Sequence, residues 1–344
     1  MMRIWSLHIS SILFVLIIAI SCSKDRAIAS AEDATEVFPI GSYPQAVKDG
    51  DKYYYIMPDI RPGHMSIYTS ACPDSLGKTA PVTVWETNNS NLQNIWSPEL
   101  HKIGGKWYIY FEADNGNTDN HHIYVLENET SDPLSRQWEL RGPIVVNDEW
   151  NYGIHPSTFA VGDRQYLIWS GWEKRRIDAE TQCLFIAELE NPWTLKSERV
   201  LISRPEYEWE RQWINPDGSC SAYPIFVNEN PEPYISPDGK RVIINYSASG
   251  IWTEYSTLGM LSASVSDDLL DPASWSKSEE PIFSASADPM FKSVSNISLI
   301  PSMDNNGTLM LYQYKNKSDS GQTAHSIMLK KIDWIDSYPV YNAH

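Results

Sequence analysis

Short apolar stretches, tight turns and aromatic-rich stretches follow one another in the same order five times along this chain. In each repeat, a turn rich in Asp, Gly or Asn separates a short apolar segment from a run of aromatic and β-branched residues. Asp-Gly and Asn-Gly pairs readily adopt the positive φ that tight hairpin turns require, and the apolar runs are too short for helices. The pattern therefore predicts five β-hairpins, over residues 45–56, 100–110, 158–169, 234–244 and 297–311.

Successive hairpins are far enough apart for each to belong to its own four-stranded blade, and no sustained helical period lies between them. Five such blades predict an all-β fold, a five-bladed β-propeller spanning residues 37–344. A β-sandwich is the alternative architecture. It explains the strands, but it does not explain why one motif recurs.

The N-terminus has the pattern of an export signal. Arg3 precedes an apolar run over residues 9–20, which is too short for a membrane span and has the length of a signal-peptide core. The run ends in small residues directly before Cys22, which resembles a bacterial lipobox. We therefore expect residues 1–22 to be a lipoprotein signal peptide with Cys22 lipidated, and residues 23–36 to be a polar tether. The alternative is an ordinary signal peptide with a chance Cys. Either a periplasmic or an outer-membrane, cell-surface location fits the anchored form.

Composition narrows the classes of partner. Aromatic residues make up 12% of the chain, with 14 Trp and 19 Tyr, which suits strands and sugar-stacking surfaces. The net charge is −17 without any basic block, so nucleic acid is excluded as a partner. No C-x-x-C spacing points to zinc. Cys72, Cys183 and Cys220 allow either one disulfide with one thiol left over, or three free thiols.

One tetrapeptide ahead of the second hairpin carries a resemblance to a known family. Trp96-Ser97-Pro98-Glu99 resembles the W-[AS]-P-E signature of family 43 glycoside hydrolases. The resemblance continues, in the family's order, through residues 119–127, 166–173, 191–194, 204–210 and 246–253. Together these segments resemble the α-L-arabinofuranosidase branch over about residues 37–344. The resemblance implies an inverting glycosidase that acts on arabinose- or xylose-containing plant polysaccharides.

Inversion needs a protonated carboxylic acid at the leaving oxygen and a carboxylate base that activates water. The family adds an Asp that keeps the pKa of the acid high. Its V-N-E-x-P segment matches residues 227–231, so the resemblance assigns Glu229 as the general acid. Glu232, slightly closer to the next turn, is the alternative acid.

The other two catalytic positions depart from the family. Tyr43 stands where the base Asp is expected, and a phenol with a pKa near 10 makes a poor base at neutral pH. His155 stands at the position of the pKa-modulating Asp. An imidazole there acts as a base, keeps Glu229 ionised, or is simply a satisfied hydrogen-bonding group. The candidate replacement bases are Asp59, Asp114 and Asp178.

The resemblance also implies substrate-binding residues, namely Glu99, His121, Trp252 and Asn296. Trp96 and Trp172 are expected to pack between blades rather than to form a sugar platform. The family's fifth-blade Gly-His, often associated with a bound cation, is replaced by Ser295-Asn296. We therefore expect no cofactor and no metal, and a structural calcium ion is disfavoured.

Two functions fit these observations. The first is an exo-acting glycosidase with Glu229 as acid and an atypical base. The second is a glycan-binding lipoprotein of a polysaccharide-uptake system that has lost catalysis. Both give the protein a plant-type polysaccharide or oligosaccharide as partner and contact with a membrane only through a lipid anchor. An inverting hydrolase needs a second carboxylate about 6.5–9.5 Å from the acid, whereas a binding protein does not.

Overall fold

The computed structural model describes residues 34–341, except residues 60, 149–150, 175–179, 215–219, 285–290 and 317–324. Within that part of the chain the fold is all-β, and the helical turns are short 3₁₀ segments at Pro73–Lys78, Thr118–Asn120, Glu208–Glu210 and Pro272–Ser274. The strands are β1 (Thr35–Phe38), β2 (Gln45–Asp49), β3 (Lys52–Pro58), β4 (His64–Ser70), β5 (Val82–Glu86), β6 (Gln93–Ile103), β7 (Lys106–Asp114), β8 (His122–Asn128), β9 (Glu139–Pro143), β10 (Gly153–Val161), β11 (Arg164–Gly171), β12 (Glu180–Asn191), β13 (Thr194–Leu195), β14 (Val200–Ser203), β15 (Arg211–Ile214), β16 (Cys220–Ile235), β17 (Arg241–Ala248), β18 (Thr257–Ser264), β19 (Ser276–Lys277), β20 (Phe291–Pro301), β21 (Thr308–Asn316), β22 (Ser326–Ile335) and β23 (Tyr338–Val340).

The strands group into antiparallel units of four that follow the chain. Units one and two are β2-β3-β4-β5 and β6-β7-β8-β9, and unit three is β10-β11-β12-β14. Unit four is β16-β17-β18-β19, and unit five is β20-β21-β22-β1. The first two strands of every unit form the hairpin that the sequence predicted, so all five hairpins are confirmed.

The first strands of the units form a closed ring. Strand β2 contacts β6, β6 contacts β10, β10 contacts β16, β16 contacts β20, and β20 contacts β2 again. Units three and four are also joined directly, because β12 pairs in parallel with β16 at Gln182 and Val227. The innermost strands of all five units therefore surround one central axis.

Apolar side chains fill the spaces between neighbouring units. The cluster between units three and four, for example, packs Ile168 and Ile186 against Val242 and Ile244, all of which are fully buried. Burial of one such side chain is worth about 1.5–3 kcal/mol relative to exposure. Comparable clusters join the other neighbouring units. Each unit is thus held by apolar contacts on both faces, as expected for strands that read as nearly continuous apolar runs.

The first strand of the chain closes the fifth unit. Thr35 pairs with Leu329 and Glu36 pairs with Met328, so the folded domain begins two residues before the boundary expected at residue 37. The predicted signal peptide, Cys22 and most of the tether lie outside the described residues. No helix in the described part of the chain is long and apolar enough to cross a membrane.

The sequence allowed either one disulfide with one thiol left over or three free thiols, and the structure distinguishes between these alternatives. Cys72 is disulfide-bonded, and Cys183 is a buried free thiol. Burial raises the pKa of the Cys183 thiol to about 12, so it is unreactive at neutral pH. The arrangement with a disulfide is therefore the one adopted.

Candidate active site

Each of the five units places one residue in the left-handed region of φ beside the central axis. These residues are Tyr43, Ser97, His155, Asn230 and Asn296, with φ between 37° and 54°. Four of them directly precede a Pro. In units two to five they coincide with irregularities in strand pairing. Such a conformation costs a non-glycine residue about 1–3 kcal/mol and is concentrated at functional sites. The repeated backbone strain therefore indicates that the functional site lies at this end of the axis.

A cavity of about 690 Å³ opens beside this ring, which is within the usual size range for small-molecule sites. Residues from four units contribute to its lining, among them Tyr43, Asp59, Trp96, Trp252, Gln313 and His325. Asp59 is the one carboxylate among the described residues that line it. The combination of aromatic walls with a few polar groups is typical of sugar-binding cavities.

Glu229 lies in β16 next to the cavity and is only 1% exposed. Its Oε1 accepts a 2.7 Å hydrogen bond from the backbone N–H of Ile251, a residue that lines the cavity. Burial, with a further contribution from the negative charge of Glu112, raises the pKa of Glu229 to about 8, although the Ile251 hydrogen bond opposes the shift. Glu229 is therefore mostly protonated at neutral pH, which is the state that a general acid requires.

His155 lies between two carboxyl groups in the interior. Its Nδ1 is 3.8 Å from Oε2 of Glu229, and its Nε2 is 3.8 Å from Oε1 of Glu112. Burial, assisted by His121, lowers the pKa of His155 to about 3, so the ring is neutral. A neutral imidazole cannot hold Glu229 ionised by its charge. Its Nδ1 also lacks a hydrogen-bond partner among the described residues, so the ring is not a fully satisfied structural group.

Tyr43 forms part of the cavity wall while its hydroxyl points into the interior. Burial, together with the charges of Glu112 and Glu229, raises its pKa far above the usual value, and a hydrogen bond with Ser97 opposes this only weakly. Its backbone N–H donates to Oε1 of Gln313 at 3.2 Å. The phenol stays protonated and cannot replace the base Asp, as the sequence indicated.

Comparison of the sequence with known protein families agrees with this fold and with a protonated Glu beneath an aromatic cavity. The model described as glycosyl hydrolases family 43 matches residues 40–339. The chain belongs to this family. The resemblance identified from the sequence motifs is thereby confirmed.

Among the proteins similar to this chain are arabinofuranosidases. An extracellular exo-α-(1→5)-L-arabinofuranosidase of Streptomyces avermitilis is 32% identical over 85% of this chain and 59% of its own length. The α-L-arabinofuranosidase 43 of Humicola insolens is 32% identical over 71% of this chain and 48% of its own length. The crystal structure of an α-L-arabinofuranosidase from Lactobacillus brevis has a TM-score of 0.77 at 28% identity, covering 87% of this chain and 93% of that one. The chain spans about half to three fifths of the two curated relatives named here.

Glu112 is a residue of the candidate site that sequence reasoning missed. It lies in β7, is fully buried, and faces His155. Burial raises the pKa of Glu112 to about 8, the His155 amide and the Ser97 hydroxyl oppose the shift, and Glu99 adds to it. The signal available in the sequence was a single acidic residue inside an otherwise apolar run, residues 107–113.

Two further carboxyl groups lie in the channel along the axis. Glu99 and Glu232 hydrogen-bond each other, and Glu232 also accepts a 2.9 Å hydrogen bond from Ser298. Burial raises the pKa of both groups, to about 8 for Glu99. Both residues border a second, narrow space and not the 690 Å³ cavity. Of the two acid candidates, Glu229 is therefore the one joined to the cavity, through Ile251.

Trp252 is the predicted binding residue that reaches the cavity. It is 38% exposed and lies in the loop that also supplies the Ile251 amide to Glu229. Gly250 has a φ of 79°, and a Cβ at this position would lie 2.9 Å from the Trp252 ring. The glycine therefore allows the indole to fold back over the turn and face the cavity.

Two other predicted binding residues lie behind the cavity wall. His121 is fully buried, with Nε2 2.9 Å from the Asn94 carbonyl oxygen, and it packs against Trp96 at 4.1 Å between ring centroids. Asn296 is also fully buried and donates from Nδ2 to Oε1 of Gln313 at 3.2 Å. Both residues contact cavity-lining residues without lining the cavity. No group of three or more His, Cys, Asp or Glu in the described part of the chain is arranged to hold a metal ion.

The candidate replacement bases occupy different environments. Asp59 lines the cavity and accepts hydrogen bonds from Arg61 at 2.9 Å and Ser66 at 2.9 Å, and the Arg61 interaction lowers its pKa. Asp114 is buried and accepts hydrogen bonds from Asn94. Asp178 lies outside the described residues.

The two tryptophans expected to pack between blades differ in their positions. Trp172 is 3% exposed and stacks on Tyr152 at 3.9 Å, which is a packing role. Trp96 stacks on His121 but also lines the cavity, so packing is only part of its role.

Proposed function

We propose that this chain is an exported glycosidase that hydrolyses O-glycosyl bonds in arabinose-containing polysaccharides, with inversion and with Glu229 as the general acid. The observation that carries the proposal is a buried Glu, with its pKa raised to about 8, beneath an aromatic-lined cavity. Membership of family 43 and the arabinofuranosidase names of its relatives support the substrate class. Xylose-containing side chains are the neighbouring possibility within the same reaction.

The architecture that we propose for this activity is a five-bladed β-propeller. Five four-stranded units and the closed ring of their first strands support it. In such a fold the substrate enters from one end of the axis, where the left-handed residues of the five units converge.

Asp59 is our candidate for the base. It is ionised at neutral pH, as an ordinary Asp is, and Arg61 lowers its pKa further; it lines the same cavity as the Ile251 segment. In the proposed reaction Glu229 protonates the glycosidic oxygen while Asp59 accepts a proton from the attacking water. The depressed pKa makes Asp59 a weaker base than an unpaired carboxylate, which predicts slower hydrolysis than a family member with an unpaired Asp.

Export and a lipid anchor at Cys22 form part of the proposal. The apolar segment ahead of Cys22 supports export, as do relatives named extracellular arabinofuranosidases. The proposed reaction uses acid–base chemistry alone and requires no cofactor.

The test is hydrolysis of aryl arabinofuranosides, aryl xylosides and arabinan oligosaccharides by protein produced without residues 1–22. We expect turnover of arabinan oligosaccharides that falls about 10²-fold or more in Glu229→Gln, and turnover of all arabinofuranosides that falls strongly in Asp59→Asn. External azide should restore part of the activity of Asp59→Asn, since azide replaces the activated water. Turnover of the oligosaccharides that is unchanged in Glu229→Gln would defeat the assignment.

A glycan-binding protein without catalysis is the second candidate, and Tyr43 is the observation that favours it. Its ring lines the cavity where the base Asp is expected, while Glu229 and His155 do not line the cavity. Calorimetric titration with arabinan oligosaccharides separates the two functions. Binding without turnover in the wild type favours the glycan-binding protein, and turnover favours the hydrolase.

A further inference from the structure

Three side chains from three consecutive units form a continuous row beneath the cavity. Glu112 comes from β7, His155 from β10 and Glu229 from β16. The two nitrogens of His155 are each 3.8 Å from one carboxyl oxygen, Nε2 facing Glu112 and Nδ1 facing Glu229. The imidazole therefore separates the two carboxyl groups and contacts both.

Several polar atoms of these three side chains have no hydrogen-bond partner within the part of the chain that the structure describes, which is unusual in a protein interior. All three side chains are at most 3% exposed. Nδ1 of His155 and both carboxyl oxygens of Glu112 have no hydrogen bond of normal geometry among the described residues. Most buried polar groups are paired, so an unpaired group of this kind calls for a functional explanation. The groups nearest the row outside its own side chains are the Ile251 amide at Glu229, and the His155 amide and Ser97 hydroxyl at Glu112.

We infer that Glu112 is a positioning residue of the active site, which sets the tautomer of His155 and through that ring controls the protonation of Glu229. This inference rests on the proposed function for its role in catalysis. At 3.8 Å both contacts are longer than hydrogen bonds, so the inferred linkage requires the groups to approach by about 1 Å. In the closer arrangement a protonated Glu112 donates to Nε2, so that the His155 proton resides on Nδ1 and is donated to Glu229. An ionised Glu112 instead accepts from Nε2–H, which leaves Nδ1 free to accept the Glu229 proton.

The consequence for catalysis follows from these two states. When Glu229 gives its proton to the leaving oxygen, Nδ1–H of His155 is in place to stabilise the new carboxylate. The resemblance implies an Asp at the position of His155, and here Glu112 supplies a carboxyl group from the neighbouring unit. The missing group is thus replaced by a pair, His155 and Glu112.

Other titratable groups lie beside this row, and their charges also affect its pH dependence. The hydroxyl of Tyr43 lies beside Glu112 and Glu229, and Glu99 lies close enough to Glu112 to raise its pKa. His121 faces His155. Burial raises the pKa of both Glu112 and Glu229 to about 8, and the charge of Glu112 adds to the shift at Glu229.

The test is a carbon-13 NMR titration of the protein with labelled Glu carboxyl groups, in which Glu229→Gln identifies the Glu229 signal. We expect Glu112→Gln to lower the midpoint of Glu229 by about half a pH unit or more, because a neighbouring negative charge and its hydrogen-bond linkage are removed. Glu232→Gln is the matched control, a carboxyl-to-amide change on the same strand as Glu229. It should leave that midpoint unchanged.

A double substitution tests whether the coupling passes through His155. In a His155→Gln background, the shift that Glu112→Gln produces at Glu229 should shrink to the direct contribution of the Glu112 charge, because the linkage through the ring is lost. A shift of undiminished size in that background overturns the role of the ring, and no shift in Glu112→Gln alone overturns the inference. If Glu112→Gln does not fold, the wild type suffices. Coupled groups show a second inflection in each signal at the midpoint of the other, and its absence also refutes the inference.

The kinetic readout separates this inference from the proposed function. In an active enzyme the basic limb of the kcat/KM profile should move to lower pH in Glu112→Gln, with little change in KM. Coupled titration without any hydrolysis would count against the proposed function alone. Hydrolysis without coupled titration would count against the role of Glu112 alone.

Discussion

Two buried carboxyl groups, Glu210 and Glu229, are linked through Asn228 and have opposite environments. Glu210 is fully buried, yet its oxygens accept hydrogen bonds from two backbone amides, from Asn228 at 2.8 Å and from the Tyr246 hydroxyl at 2.9 Å. Lys277 adds its positive charge at 2.7 Å. Glu229 accepts one hydrogen bond, from Ile251, and its other neighbour in the row is a neutral His155.

This difference shows that similar residues can have separate roles within one fold, because their surroundings differ. Hydrogen bonds and a cation compensate the charge of Glu210, so it ties β16, β17 and β19 together. The charge of Glu229 is poorly compensated, so burial favours its protonated form. We interpret Glu210 as a structural anchor and Glu229 as a proton donor.

Among the substitutions that test this comparison, Glu229→Gln has the largest expected effect. Loss of a general acid typically reduces kcat by about 10²–10⁴-fold. Stability should be unchanged or higher, because the amide never carries the charge that burial disfavours. Steady-state kinetics and thermal unfolding on the same samples check both parts. A large loss of stability together with activity would make Glu229 structural, like Glu210.

Glu210→Gln should show the reverse pattern. Removing one partner of a buried ion pair leaves Lys277 uncompensated and costs about 3–5 kcal/mol in the free energy of unfolding. Denaturant unfolding measures this loss. Glu188→Gln serves as the control, since Glu188 pairs with Arg164 and Lys196 near the surface and such pairs contribute about 0–1 kcal/mol. Equal, small effects in both variants would contradict the anchoring role of Glu210.

The pH dependence of stability sharpens the comparison. The pKa values of Glu99, Glu112 and Glu229 are raised to about 8. The stability that these groups contribute is fully present below their unfolded pKa and is lost as the pH rises towards 8. The unfolded His155 is half protonated at pH 6.5 whereas burial lowers the folded pKa to about 3, so its opposing contribution fades by about pH 7.5.

The free energy of unfolding should therefore fall between pH 6.5 and 8. Each carboxyl contributes a slope of up to about 1.4 kcal/mol per pH unit. Glu229→Gln should reduce the slope by about one such contribution. Urea unfolding at several pH values gives the slope, and a flat or rising profile in the wild type would be inconsistent with buried, protonated carboxyl groups.

Trp252→Ala tests the cavity itself, with the smallest expected effect. Loss of aromatic stacking on a sugar should weaken binding by about 0.5–1.5 kcal/mol, which raises KM several-fold. Tyr255→Ala is the matched control, because Tyr255 is similarly exposed nearby but does not line the cavity. Similar changes in both variants would show that Trp252 has no specific contact with substrate.

The hairpins were predictable because many residues specify each one. The turn at Gly50, for example, lies between two strands whose apolar pattern alone predicts their pairing. Such a pattern remains recognisable when one apolar residue is substituted. The family was predictable for the same reason, since several short motifs in order identify it together.

The arrangement at the axis was only partly predictable. Glu229, Tyr43 and His155 were found because the family's motifs mark their positions. Glu112 was not, because the local pattern around it is simply that of a buried strand. Its proximity to His155 arises from the meeting of two units that are far apart in sequence. The same long-range packing produces the raised pKa values, which no sequence motif encodes.

The most direct test of the central claim compares substrates that differ in their need for an acid. Glu229→Gln should retain most of its turnover of 2,4-dinitrophenyl α-L-arabinofuranoside, whose leaving group departs without protonation. The same variant should lose about 10²-fold or more on arabinan oligosaccharides, whose leaving alcohol requires a proton. Equal losses on both substrates, or no loss on the oligosaccharides, would contradict the assignment of Glu229 as the general acid.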